Sequence, residues 1–374
     1  SVLKDQIIER LHEIGQPHLS TKLDLLNEKE LEKFYQLLSP DLLETQRAAL
    51  KTSAIREEIE PILQAETASD TSTPLGIEQI VQGKVACLIL AGGQGSRLGA
   101  SVPKALVTVS PDGKKTLLDI LLDKIIAAAQ FHRVKIPCAL IVSETNQAMI
   151  ADYIREKKFG DFITLVVQNE APILDEHENW VLRDDGKLAT APDGNGYALH
   201  LLEKNGILKK WKASGIDVIT IVPIENPLAD PVDPILIGYH VSHPADVTIK
   251  VITRQNDEEK VGVIVRKNNH IEVREYSELP VSTSQKTCLA NTGLFAVNLT
   301  FASQVAHHEF PLHVAHKQDP ISKQWIWKFE RFIFDMLPLS HQTNLLIYPR
   351  EDVYAPLKNI DGLKAVQAAL KRLM

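Results

Sequence analysis

The stretch from Val85 to Lys104, VACLILAGGQGSRLGASVPK, constrains this chain more than any other. An unbroken apolar run, Val85 to Leu90, gives way to a loop carrying Gly92, Gly93, Gly95 and Gly99. A run without polar alternation belongs to a strand buried on both faces of a parallel sheet, and ligands bind where such strands end. Glycine lets the backbone approach a ligand closely, with N–H groups free for phosphate or base oxygens. Arg97 and Lys104 place cations within and just after the loop. The spacing excludes two common nucleotide loops. Gly93, Gly95 and Gly99 read G-x-G-x-x-x-G rather than G-x-G-x-x-G, and no Gly-Lys-Ser or Gly-Lys-Thr is present.

A chain of 374 residues has room for one large α/β domain with smaller additions. A net charge of −7 with no dense basic run gives no nucleic-acid surface. The cysteines, Cys87, Cys138 and Cys288, lie in apolar settings without C-x-x-C pairing, which points to reduced, mostly buried thiols and away from structural zinc. No apolar run approaches the ~20 residues of a membrane helix. The first thirty residues are charged and amphipathic rather than signal-like. The expectation is a soluble, cytoplasmic protein with small-molecule partners and neither nucleic acid nor membrane among them.

Residues 1 to about 65 read as helical, from Leu3, Ile7, Ile8, Leu11 and Ile14 and then Leu31, Phe34, Leu37 and Leu38. The polar stretch 65–74 reads as a linker. From Lys84 onward strand, loop and helix alternate, with strands expected at 85–90, 138–142, 163–168 and 217–224 and helices at 117–130 and 147–158. Such alternation predicts a doubly wound, mainly parallel, Rossmann-like α/β sheet. Strands come thicker after Pro244, at 247–252, 261–265, 271–276 and 293–297. A last strand (345–348) and helix (363–370) close the chain. The segments are therefore a helical piece and linker (1–75), a catalytic domain (76–335) and a small C-terminal α/β piece (336–374). No hexapeptide repeats follow.

After residue 80 the chain resembles the eukaryotic-type UDP-N-acetylhexosamine pyrophosphorylases of the wider UDP-sugar pyrophosphorylase family. The segments that carry the resemblance are LAGGQGSRLG at 90–99, PK at 103–104, APDGNG at 191–196, VGVIVR at 261–266, EYSE at 275–278, NTG at 291–293, KFERFIFD at 328–335 and APLKN at 355–359. The resemblance implies a GT-A-like nucleotidyltransferase. In it, a sugar 1-phosphate oxygen attacks the α-phosphorus of UTP and pyrophosphate leaves. APDGNG, EYSE and KFERFIFD imply an N-acetylated sugar. Alternatives are the same chemistry on glucose 1-phosphate, or a nucleotide-sugar binder that has lost turnover.

Such a reaction rests on aligning two polyanions and neutralising charge, which calls for cations and a divalent metal. By resemblance Arg97, Lys104 and Lys358 are the catalytic cations, Lys358 on the sugar phosphate. UTP is held by Leu90, Ala91, Gly92, Gly93, Lys104, Gln168, Gly194, Glu225 and Lys328, and the sugar by Asn195, Glu275, Tyr276 and Asn291. Phe332 and Phe334 fall near the N-acetyl group. Lys328 and the aromatics after it are read as helical. The chain departs from the family pattern at Glu225, where aspartate is usual, and at Leu294, where a second asparagine is expected. Glu225 is the expected ligand of Mg²⁺, with Mn²⁺ as the alternative ion, and Asp230 a weaker candidate. His307, His308, His313 and His316 form the densest histidine cluster, and His313 and His316 could share a helix face, but no nearby carboxylate or cysteine completes a metal set. The expected assembly is a monomer or weak homodimer.

Overall fold

Every position of Val85–Leu90 is buried, and so is every position of Cys138–Ser143. Strands with no exposed face need layers on both sides, which is why their sequences are continuous apolar runs. The computed structural model describes residues 1–52, 59–93, 102–256, 258–275 and 288–374, and these two strands are neighbours in its main sheet. Contacts group the chain into two units that run across the three segments above. One comprises Glu58–Gln168, Tyr197–Glu309 and Ile333–Met374, the other Ser1–Glu57, Asn169–Gly196 and Phe310–Phe332.

In the larger unit Val218–Pro223, Val85–Leu90, Cys138–Ser143 and Ile163–Gln168 lie side by side and parallel. Leu289–Asn298 runs antiparallel between Val218–Pro223 and Val247–Thr253. Beyond it Thr343–Ile347 lies parallel to both Val247–Thr253 and Glu66–Thr67. A side ladder of Gly262–Lys267 and His270–Glu275 branches from Leu289–Asn298. The helix Leu117–His132 begins at a capping box, Thr116 accepting from Asp119 N–H while Asp119 accepts from Thr116 N–H. Its Leu117, Leu118, Leu121, Leu122 and Ile125 join Val85, Cys87 and Ile89 in the core, as does Val366 of the final helix, Leu363–Arg372. The expected doubly wound, mainly parallel sheet is present.

The stretch 65–74 is more than a linker, and the chain before it is not helical throughout. Glu60–Pro61 pairs with Gly262–Lys267, and Glu66–Thr67 forms an edge strand. The helix Thr73–Val81 follows; a Cβ on its Gly76 would stand 1.8 Å from the Pro234 carbonyl oxygen. Two-residue strands have no period for a sequence reading to detect.

In the smaller unit the helices Val2–Glu13, Glu28–Leu37 and Pro40–Lys51 start at the side-chain caps Ser1, Asn27 and Ser39. Their Ile7, Leu11, Leu31, Phe34 and Leu43 pack around Leu174, Trp180 and Phe329. A ladder of His313–Gln318, Trp325–Glu330 and Leu174–Asp175 lies there, together with the pair Glu170–Pro172 and Thr190–Pro192. Lys328 is therefore on a strand and not a helix. Aromatic and β-branched residues favour the pleated surface, and the run is too short to show a helical stripe. His313 and His316 also lie on a strand, where residues three apart point to opposite faces. Among the described residues no group of three or more His, Cys, Asp or Glu could hold a metal ion. Cys87, Cys138 and Cys288 are free and buried, as expected. No helix among the described residues is long and apolar enough to cross a membrane.

Candidate active site

The carboxyl ends of the parallel strands carry the first group of candidate residues. Past Leu90 the chain stays zipped to its neighbours: Ala91 N–H donates to Ile141 O (2.8 Å) and Ile224 N–H donates to Leu90 O (3.0 Å). The Gly93 carbonyl accepts from Lys104 N–H at 3.3 Å and from Asn146 Nδ2 at 3.1 Å. Gln168, the last residue of its strand, is buried and lies flat against Gly92, where a Cβ would stand 2.4 Å from Nε2. A Cβ at 92 would therefore displace the Gln168 amide. The Lys104 side chain runs over Gly93, and its Nζ reaches Glu225 Oε2 at 3.5 Å. That separation is long for a charge-assisted bond, which closes to ~2.7–2.9 Å. Both groups are partly exposed, 15% for Lys104 and 31% for Glu225, so each retains capacity for a ligand.

Glu225 follows the Val218–Pro223 strand, and its carbonyl accepts from Leu357 N–H at 2.8 Å. This bond brings the exposed Lys358 next to the Glu225 loop. Behind the loop, Lys124 Nζ donates to the Pro227 and Ala229 carbonyls at 2.7 Å each. Burial lowers the Lys124 ammonium to about 8. Asp230 Oδ1 accepts from Val232 N–H (2.9 Å), which gives it a part in the turn. Burial pushes the Tyr354 hydroxyl well above the usual range, and the Glu225, Glu259 and Glu275 carboxylates push it further, against Arg350. Tyr354 is thus within electrostatic reach of both Glu225 and Glu275. Glu275 pairs with Gly262, whose added Cβ would stand 3.8 Å from the Asn291 Cβ. Asn291 Oδ1 accepts from Gly293 N–H (2.9 Å), with Gly293 at a φ of +79°. Leu294, where the resemblance leads one to expect a second asparagine, is buried in the main core.

Gly194, Asn195 and Lys328 belong to the smaller unit. The PDGNG turn is zipped to the chain around Arg331: Arg331 N–H donates to Asp193 O and Gly196 N–H to Arg331 O, each at 2.8 Å. Gly194 has a φ of +82°, and a Cβ there would stand 2.1 Å from the Arg331 carbonyl oxygen. Lys328 Nζ lies 3.5 Å from Glu330 Oε1. Phe332 packs on His313, with ring centroids 4.9 Å apart. Phe334 falls in the 3-10 turn Ile333–Leu339 of the larger unit. Asp193 is buried and its Oδ1 has no hydrogen-bond partner. Burial pushes its carboxyl up to about 7; Arg331 opposes this, while Glu170 and Glu330 add to it.

Arg97 and Tyr276, with Gly95 and Gly99, lie outside the described residues. Asn146, Lys124 and Tyr354 went unnoticed in the sequence. Asn146 could have been suspected from its place just past a strand end, whereas Lys124 and Tyr354 act on residues distant in sequence.

Mg²⁺ prefers one or two carboxylates completed by phosphate oxygens and water over an all-protein cage. Glu225, a single partly exposed carboxylate beside a lysine, suits such a site.

The family described as UTP–glucose-1-phosphate uridylyltransferase matches residues 31–373. The chain is 28% identical over 401 residues to UDP-N-acetylglucosamine diphosphorylase 2 of Arabidopsis thaliana, covering 95% of this chain and 80% of the relative. It is 28% identical over 337 residues to UDP-N-acetylglucosamine pyrophosphorylase of Saccharomyces cerevisiae, covering 80% and 69%. The fold matches the crystal structure of the uridine diphosphate N-acetylglucosamine pyrophosphorylase from Trypanosoma brucei, with a TM-score of 0.83 at 24% identity over 98% of this chain and 84% of that one. The chain belongs to the UTP–glucose-1-phosphate uridylyltransferase family.

Proposed function

We propose that this protein is a uridylyltransferase that makes UDP-N-acetylglucosamine, or its galactosamine epimer, and pyrophosphate from UTP and the N-acetylhexosamine 1-phosphate. The observation that carries the reading is the meeting of Lys104, Glu225 and the Lys358 segment at adjoining strand ends. The names of the relatives support the choice of an N-acetylated sugar.

The attacking oxygen already carries charge, so the chain needs neither a serine nucleophile nor a histidine base. Its work is to bring two polyanions into line and to offset their repulsion. Leu90, Ala91, Gly92 and Gly93 offer backbone to the uracil, with the Gln168 amide as donor and acceptor at its edge. Lys104 lies beside the UTP phosphates and Lys358 binds the sugar phosphate; Arg97 takes the leaving pyrophosphate. Glu225 would hold Mg²⁺, or Mn²⁺ in its place, and the ion would supply charge neutralisation at the α-phosphate. By resemblance Gly194 and Lys328 are further nucleotide candidates, and Asn195, Glu275, Tyr276 and Asn291 are the candidates for the sugar hydroxyls.

Pyrophosphate release by the purified protein with UTP and Mg²⁺ tests the reading, comparing N-acetylglucosamine, N-acetylgalactosamine and glucose 1-phosphates. Turnover with an N-acetylated sugar is expected, falling on the order of a hundredfold or more in Lys104→Ala, the usual scale for removing one transition-state contact. Turnover with glucose 1-phosphate alone assigns the protein to the neighbouring sugar. Retained UTP binding with no turnover favours a nucleotide-sugar binder.

A further inference from the structure

The segment Tyr354–Lys358 has no regular secondary structure, so a lysine at its end needs some other anchor to act at a fixed place. Asn226, next to Glu225 and fully buried, supplies one. Its Nδ2 donates to Val353 O at 2.7 Å, and its Oδ1 accepts from Ala355 N–H at 3.1 Å and Leu228 N–H at 3.2 Å. One carboxamide therefore brackets Tyr354 on both sides and ties its own loop as well. Two residues on, Leu357 N–H closes on the Glu225 carbonyl, and the Leu357 side chain is buried in the main core. Only an amide offers donor and acceptor in this layout; a carboxylate of the same shape loses the bond to Val353.

We propose that Asn226 is a positioning residue that fixes the Lys358 segment on the Glu225 loop, so that the group for the sugar phosphate is set relative to the groups for the nucleotide. The proposal deepens the function above and rests on it. Asn226 touches no reacting atom in this scheme and acts through Lys358 alone.

A double-mutant cycle tests it, with Asn226→Asp, Lys358→Ala and the pair of changes measured beside the unaltered full chain. KM for the hexosamine 1-phosphate, KM for UTP and kcat are read separately. A thermal melt of each variant and single-turnover titration give the folded, active fraction. Asn226→Asp should raise KM for the sugar phosphate on the order of tenfold, the scale of one buried hydrogen bond, while KM for UTP stays within about twofold. In the Lys358→Ala background the same change should have little further effect. Ala355→Pro removes one of the N–H donors to Asn226 while leaving Asn226 in place, and should reproduce the sugar-phosphate effect if Asn226→Asp does not fold. Fully additive effects overturn the proposal. So does a lowered melting temperature with both KM values unchanged. Absence of turnover by the unaltered protein with every hexose 1-phosphate overturns the function itself, and that arm tells the two failures apart.

Discussion

Gly92 and Gly194 are both nucleotide candidates, yet their neighbours make different demands. A methyl group at 92 meets the end of the Gln168 side chain, which can move, whereas at 194 it meets the Arg331 backbone, which cannot move cheaply. Gly92→Ala should therefore displace the Gln168 amide and raise KM for UTP about tenfold, with stability reduced by no more than ~1 kcal/mol. Kinetics paired with urea unfolding checks this, and an unchanged KM would remove Gln168 from the nucleotide site. Asp193 offers a second test at this scale. Its raised carboxyl contributes stability that is complete below its ordinary value of 3.8 and is lost as pH climbs through about 7. The charged form inside the fold costs a few kcal/mol. Relative to Asp193→Asn, the unaltered protein should lose that amount between pH 4 and 7.5 and then level off. Denaturant unfolding across that range reads the difference, and a flat difference would mean the carboxyl is solvated.

Elements hold these residues through buried polar staples as much as through apolar packing. In the smaller unit Trp180 Nε1–H donates to Gln46 Oε1 (2.8 Å), and Gln46 Nε2 donates to Pro172 O (2.8 Å). Gln16 Oε1 takes the Trp180 N–H at 3.0 Å. Both glutamines are fully buried, so the turn after Val2–Glu13 and the helix Pro40–Lys51 are joined by hydrogen bonds to Trp180 and Pro172. Gln46→Ala should orphan the indole N–H and the Pro172 carbonyl and cost about 1–3 kcal/mol. Near-ultraviolet circular dichroism during urea unfolding would report it. The long apolar strands were legible in the sequence because six consecutive buried residues leave a continuous signal. The Trp325–Glu330 and His313–Gln318 strands were not, because Ile326 and Phe329 are buried on opposite faces and His313–Gln318 has no buried position, so neither strand shows a period of two.

At the scale of the whole molecule, the chain builds each unit from stretches far apart in sequence. The first three helices share a core with Leu174, Trp180, Leu188 and Phe329, all beyond Val85–Leu90, Cys138–Ser143 and Ile163–Gln168 in sequence. A chain lacking residues 1–51 should therefore leave 169–196 and 310–332 without their apolar cover. Hydrogen exchange should rise in those stretches while Val85–Leu90 and Cys138–Ser143 stay protected; uniform protection would mean that this core stands without the helices. By itself, the sequence determined the buried parallel strands, the glycine loop after Leu90 and the chemistry that cations and a carboxylate beside it can perform. These follow from local properties: hydropathy along a run, the backbone freedom of glycine, charge at a motif. Only the tertiary structure decided that Lys104 meets Glu225, that Gln168 rests on Gly92 and that Asn226 and Leu357 hold the segment before Lys358. Those contacts join residues tens to more than a hundred positions apart, where register between strands and the filling of a shared core, rather than any local preference, select the partner.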